Sequence, residues 1–272
     1  MIATPKRLDS SPGATTSAQR TPEELELERK KSALRELESE LAELELTLAT
    51  LHGELAAFQW DYITRVGRLY TQLDDLEAQI ADLEFHRKPR DDSARRKAEA
   101  ARKRARQSKQ ATDDIEADTP NRRFEPSRTL GRLYRDAARK LHPDLTTDDS
   151  DKARRKKLMA EVNQAYEECD EARIRQILDD WQVSPEQVRG EDTAAELVRV
   201  IRTIALVEKR LAAIRGEIEA LQGSDLFKLK TQVQEAAQLG RDLLTEMARG
   251  LQERIASAKD ILDALLNAEA FA

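Results

Sequence analysis

Apolar residues in the first third of the chain recur at alternating gaps of three and four. They are Leu34, Leu37, Leu41, Leu44, Leu48, Leu51, Leu55 and Phe58. This spacing is the heptad seam of a coiled coil, in which each helix buries one apolar stripe against a partner. Thr21 can cap the helix, Pro22 suits its first turn, and Glu24 stands three residues after the cap. The pattern predicts a long coiled-coil helix over 21–88, after a disordered tail over 1–20.

The seam changes phase between Leu55 and Val66, which are eleven residues apart. An eleven-residue step is a stutter, which locally relaxes the left-handed supercoil. The seam then continues through Leu69, Leu73, Leu76, Ile80 and Leu83. A helix of this length cannot bury its stripe alone. We therefore expect a partner helix from the same chain or from a second copy, and the length of the seam favours a homodimer.

A charged tract over 89–120 follows the long helix. It is rich in Lys and Arg up to Lys109, turns acidic over 113–118, and reaches Pro120. Because almost no apolar face is present, we predict a solvated linker that is helical at most in part. Clustered Lys and Arg between Arg95 and Arg106 could also supply non-specific affinity for phosphates, so a nucleic-acid-associated factor is an alternative. No aromatic residues are interleaved there for base stacking.

The next segment predicts two amphipathic helices that pack as an antiparallel pair. Each helix has one apolar face. The two faces consist of Leu130, Leu133, Ala137 and Leu141, and of Leu158, Val162, Ala165 and Cys169. Pro143 disfavours helical geometry at His142, so the first helix must end there. The connecting loop is therefore expected to present His142 and Asp144 at the tip of the pair.

This segment resembles the J domain of co-chaperones. Residues 130–145 read LGRLYRDAARKLHPDL, similar to helix II of the family and its His-Pro-Asp loop. Downstream, Met159, Val162, Asn163, Ala165 and Tyr166 are similar to the family's helix III. The resemblance implies a J domain over 121–182. It also implies a protein that binds a DnaK-type (heat-shock 70) chaperone and stimulates its ATP hydrolysis without being an enzyme itself.

The resemblance assigns roles to individual residues. Asp144 would be the trigger, His142 would hold the loop conformation, and Pro143 would fix the backbone. The docking residues on the basic helix would be Arg132, Tyr134, Arg135 and Arg139. No catalytic residue, cofactor or metal is implied. The sequence departs from the family in several respects. The usual first helix is absent or reduced to 121–124, Asp136 stands where many members have a basic residue, and Leu145 follows the loop where Arg or Lys is common. No short basic fourth helix follows at 170–173, and no Gly/Phe-rich or zinc-binding region follows.

The last segment, 183–272, again carries a seam with gaps of four and three. It runs through Val200, Ile204, Val207, Leu211, Ile214, Ile218 and Leu221. A turn at 223–225 is followed by a further amphipathic stretch from Leu226 to Leu265. Two helices joined by a short loop predict a helical hairpin.

Composition agrees with an all-α chain built from long helices. Charged residues make up 36% and aromatic residues 4%, which argues against one large globule. The single cysteine excludes an intrachain disulfide and a thiolate metal cluster. No apolar run is long enough to span a bilayer, and the first twenty residues lack an apolar signal core. We therefore expect a cytoplasmic protein with no membrane contact.

Two functional hypotheses remain from the sequence besides nucleic-acid binding. In the first, coiled-coil arms serve for oligomerisation or client targeting and flank an active J domain. In the second, the chain is a structural coiled-coil scaffold that contains a degenerate J-like pair.

Overall fold

The computed structural model describes residues 21–118, 124–182 and 193–270. Most of these residues are helical, short turns and loops connect the helices, and no strand is found among them. The predicted tail over 1–20 lies outside the described residues. The helices are α1 (Pro22–Tyr62), α2 (Arg68–Arg87), α3 (Asp92–Asp118), α4 (Arg128–Leu141), α5 (Asp149–Glu167), α6 (Glu171–Gln182), α7 (Thr193–Gly223), α8 (Asp225–Gln238) and α9 (Leu243–Ala270). None of the helices in these ranges combines the length and the apolar character that crossing a membrane requires.

A π-helical turn, Ile63–Gly67, joins α1 to α2 without a break. The N–H of Arg68 donates to the carbonyl of Ile63, five residues back, so this turn holds one residue more than an α-helical turn. The turn lies at the predicted stutter. Gly67 allows it to close tightly, because an added Cβ would come within 2.7 Å of the Ile63 side chain.

α7 covers the seam of α1 within the same chain. Leu41 and Leu48 of α1 are buried with Val207, Leu211 and Ile214 of α7. Lys31 pairs with Glu196 at 2.7 Å, and Glu45 pairs with Arg210 at 2.8 Å. Residue numbers rise together in these two pairs, so α1 and α7 run parallel.

α9 covers α2 in the same parallel sense. Arg65 pairs with Asp242 at 2.6 Å, and Glu77 pairs with Arg254 at 3.2 Å. The core between these helices contains Val66, Leu73 and Leu76 on one side and Leu244, Leu251 and Ile255 on the other.

The expected C-terminal hairpin is therefore wrong. α7 and α9 do not fold back on each other but follow the N-terminal helix one after the other, with α8 between them. Gly240, at φ 76°, takes the left-handed backbone that ends the α8 region and lets the chain resume as α9. The heptad pattern indicated that each stripe needs a partner, but not which helix would supply it. Because the chain covers its own seam, the unburied seam no longer argues for a dimer.

The structure also differs from the expected linker over 89–120. Residues 92–118 form α3, which lies antiparallel to α2, with Arg102 paired to Asp82 at 2.7 Å and Arg104 to Glu77 at 3.4 Å. Ala98 and Ala101 are buried against the neighbouring helices. Alanine thus supplies the face that packs, which a search for large apolar residues misses.

α4, α5 and α6 form a compact block seated on α1. Its buried core consists of Leu130, Tyr134, Ala137, Ala138, Leu141, Met159, Val162, Ala165, Tyr166, Ile174, Ile177, Leu178 and Trp181, together with Ala42 of α1. A helix, α6, does follow α5, at the place where the J-domain family has its fourth helix. It carries both acidic and basic residues, so it differs from the basic helix of the family. Of the expected residues 121–124, only Phe124 is described, and it packs against this core.

Candidate functional site

α4 and α5 form the antiparallel pair that the sequence predicts. The Tyr134 hydroxyl donates to Asn163 at 2.8 Å, and Arg155 donates to the carbonyl of Lys140 at 2.9 Å. Residue numbers on α5 fall as those on α4 rise, so the helices run in opposite directions. The His-Pro-Asp loop lies at the end of this pair.

The loop has a defined backbone. α4 ends at His142, whose φ of −60° and ψ of 131° are extended, as expected before a proline. Pro143 then opens a short 3₁₀ turn, Pro143–Leu145, and the N–H of Leu145 donates to the carbonyl of His142 at 3.2 Å. The N–H of Asp144 donates to Nδ1 of His142 at 3.1 Å. The imidazole therefore fixes the turn from inside.

His142 is buried beneath α1 and has only 3% of its surface exposed. Because Nδ1 accepts from the backbone, this hydrogen-bond network assigns the ring proton to Nε2. Nε2 lies 2.9 Å from Oε1 of Glu45 and donates to it. Two bonds in opposite directions thus set the ring orientation and its tautomer.

Glu45 joins the loop to both long helices. Its Oε1 also accepts from Nε of Arg210 on α7 at 2.8 Å, and Arg210 reaches Glu217 at 2.8 Å with its other end. Burial raises the pKa of the Glu45 carboxyl, but the hydrogen bonds from His142 and Arg210 outweigh burial, so the pKa lies below its ordinary value. The carboxylate is ionised and bound on both sides.

Asp144 remains accessible next to this buried centre. Its side chain is 20% exposed, and its carboxylate lies 3.4 Å from the ammonium of Lys152 on α5. Pro143 is half-buried. Leu145 packs against the apolar core between α1 and α7, so the tip of the pair rests on those helices.

The predicted docking residues of α4 divide into three environments. Arg132 is exposed. Arg135 and Arg139 face α1, where they contact Glu43 at 3.4 Å and Ser39 at 3.1 Å. Tyr134 differs from the expectation, because it is 1% exposed and belongs to the core, so any effect on docking would act through packing.

Sequence reasoning missed the partners on α1 and α7. Glu45 and Arg210 belong to ordinary charged positions of a heptad pattern, and nothing in the sequence separates them from their neighbours. Gly53 carried a weak signal, since a glycine inside a helix marks close approach of another element. The ring of Phe124 occupies that place.

The basic tract of α3 is partly neutralised by its neighbours. Arg102 and Arg104 contact carboxylates of α2. Arg96, Lys97, Lys103 and Arg106 are exposed, and no ion pair is found for them among the residues that the structure covers. These four cations could still contact phosphates, so the nucleic-acid alternative stays a prediction.

Comparison of the chain with protein-family models, with curated proteins and with solved structures finds no match.

Proposed function

We propose that this chain is a J-domain co-chaperone that binds a DnaK-type chaperone and stimulates its ATP hydrolysis. The observation that supports this most is the His-Pro-Asp loop. It stands at the tip of an antiparallel helix pair, with its backbone fixed by Pro143 and by the bond between Asp144 and His142. Such a loop holds one carboxylate, that of Asp144, in a set position at the end of a rigid support.

Charge on the pair also supports the proposal. Arg132 is exposed on α4. Cationic side chains at the rim of an interface raise the rate of encounter with an acidic partner. In the proposed complex Asp144 would exchange its contact with Lys152 for one with a cation of the chaperone.

The test is single-turnover ATP hydrolysis by a DnaK-type chaperone in the presence of an excess of the full chain. We expect stimulation by the wild-type protein and its loss in Asp144→Asn and in His142→Gln. His52→Gln is the matched control, because His52 is an exposed histidine of α1 outside the loop. Equal stimulation by His142→Gln and by His52→Gln would count against the proposal.

A structural scaffold is the second candidate, and the burial of His142 between Glu45 and its own loop favours it. In that case the loop would serve only to seat the α4–α5 pair on α1. The scaffold predicts that His142→Gln weakens the fold, and that neither this variant nor the wild-type protein stimulates ATP hydrolysis by the chaperone.

A further inference from the structure

Three of the proposed docking groups, Arg135, Arg139 and His142, are already engaged inside the chain, whereas Arg132 is exposed. The carboxylates of Glu43 and Glu45 on α1 contact Arg135 and His142. Arg139 donates to Ser39 on the same helix. α1 thus presents to the pair the acidic groups that a chaperone surface would have to present.

α7 contacts both Glu45 and the loop. Arg210 is the second donor to Glu45, and Leu145 of the loop packs against the core that α7 shares with α1. The buried core of α4, α5 and α6 includes Ala42 of α1 but no residue of α7. α7 could therefore leave without dismantling the block that carries the loop.

We propose that α1 and α7 form a self-inhibitory cover over the His-Pro-Asp loop, in which Glu45 bridges His142 and Arg210. The inference rests on the proposed function. In the closed form Glu45 holds His142 on α1, and Leu145 lies against the core that α1 shares with α7. Departure of α7 removes Arg210 from Glu45 and uncovers the loop at Leu145. Arg135 and Arg139 keep their contacts with α1 until a partner replaces them. The chaperone binds the open form only, so the closing contacts lower the apparent affinity.

The exposure of Val198 and Ile201 indicates that α7 is held least tightly near its start. They lie near the start of α7 and are 47% and 45% exposed. An apolar face that is not fully covered contributes less to holding a helix in place. Opening is expected to begin at this end of α7 and to proceed toward Arg210.

The first test compares Arg210→Ala with Glu40→Gln in the full chain. Glu40 also bridges α1 and α7, through Arg215, but has no contact with the loop. Loss of one charge-assisted hydrogen bond should shift the opening equilibrium about tenfold. We expect Arg210→Ala to raise amide hydrogen exchange at 142–146 and to raise ATPase stimulation at sub-saturating protein by that factor, and Glu40→Gln to leave both near wild type.

The two readouts separate the cover from the proposed function. Unchanged exchange at 142–146 in Arg210→Ala would overturn the cover, whatever the ATPase assay shows. Faster exchange with no stimulation by any variant would overturn the co-chaperone function and self-inhibition with it.

A second variant keeps the cover testable if Arg210→Ala disturbs the fold. Lys31 and Glu196 touch across α1 and α7 at 2.7 Å. Their replacement by cysteines, with Cys169→Ser, allows a short bis-maleimide to tie the two helices together. The tied protein should show slower exchange at 142–146 and less stimulation than the same protein before the reaction. Equal stimulation before and after would overturn the cover.

Discussion

The ring of Phe124 lies against the backbone of Gly53, where an added Cβ atom would come within 2.6 Å of the ring. The same ring packs edge-on against Tyr166, with centroids 5.7 Å apart. The Tyr166 hydroxyl lies 2.8 Å from the hydroxyl of Thr50, one turn before Gly53. α1 therefore holds the block of α4, α5 and α6 at a point where only glycine permits the approach.

Gly53→Ala should lower the free energy of unfolding, although alanine is the better helix former. Displacing the Phe124 ring costs roughly 1–3 kcal/mol, against about 1 kcal/mol gained in helix propensity. Gly216→Ala in α7 is the control, because no atom lies within 4 Å of its added Cβ, and it should stabilise. Chemical denaturation followed by circular dichroism measures both. If Gly53→Ala stabilised as much as Gly216→Ala, the close approach would be refuted.

The pattern of apolar residues predicted individual helices better than their partners. The capping box at Thr21 and Glu24 is present, with bonds of 2.9 and 3.3 Å, because capping depends only on residues within one turn. The faces of α4 and α5 were also predictable, since Leu130, Leu141 and Val162 are buried. The parallel course of α7 and α9 was not, because a heptad stripe carries no direction.

The environment of the loop was predictable only in part. Pro143 determined where α4 ends, which follows from sterics between neighbours. The burial of His142 depends on Glu45, which is 97 positions away, and on Arg210. No local rule selects these two residues from the many charged residues of the same helices.

Replacing Ala98 with a charged residue should lower the stability of the protein if α3 packs against its neighbours. Ala98 is 2% exposed, while Ala100 two positions later is exposed. Alanine and glutamate have similar helix propensities, so a difference between Ala98→Glu and Ala100→Glu reports packing. We expect Ala98→Glu to cost roughly 1–3 kcal/mol of stability, since it places a charge against α2.

The measurement is limited trypsin digestion, since α3 contains many Lys and Arg residues. Cleavage within 92–118 should accelerate in Ala98→Glu and remain slow in Ala100→Glu. If the wild-type protein were cleaved as fast as Ala98→Glu, α3 would not be packed, and the prediction of a solvated linker over 89–120 would be correct.

Stability should depend on pH through Glu45. The pKa of its carboxyl is lowered in the folded protein, so the ionised form contributes stability above the ordinary value, about 4.3. That contribution is lost as the pH falls through the lowered pKa. We expect Glu45→Gln to cost about 1.5–3 kcal/mol at pH 7, the range of a hydrogen bond to a charged group, and to cost progressively less below pH ~4.

The comparison is between unfolding free energies of wild type and Glu45→Gln from pH 7 to pH 3. Glu40→Gln removes an exposed pair between the same two helices and should change stability little. A cost of Glu45→Gln that stays constant over the whole range would show that ionised Glu45 does not stabilise the fold.

The π-helical turn should tolerate loss of one residue. Thr64 is exposed within Ile63–Gly67, and the turn holds one residue more than an α-helical turn. Deleting Thr64 converts the turn into a regular α-helix and leaves α2 nearly in phase, so we expect a stability change within about 1 kcal/mol.

Deletion of Gln72 is the matched control, because Gln72 is exposed but lies in regular α2. Each α-helical residue turns the chain by about 100°, so this deletion rotates Leu73 and Leu76 away from α9. Burial of these two leucines is lost, and a destabilisation of several kcal/mol, about 2–5 for each buried leucine, should follow. Denaturation midpoints that fall equally for the two deletions would mean that the extra residue is required by the junction. In that case the extra residue of the π-helical turn would be needed to place the apolar face of α2 against α9. The eleven-residue step between Leu55 and Val66 would then be a consequence of that packing.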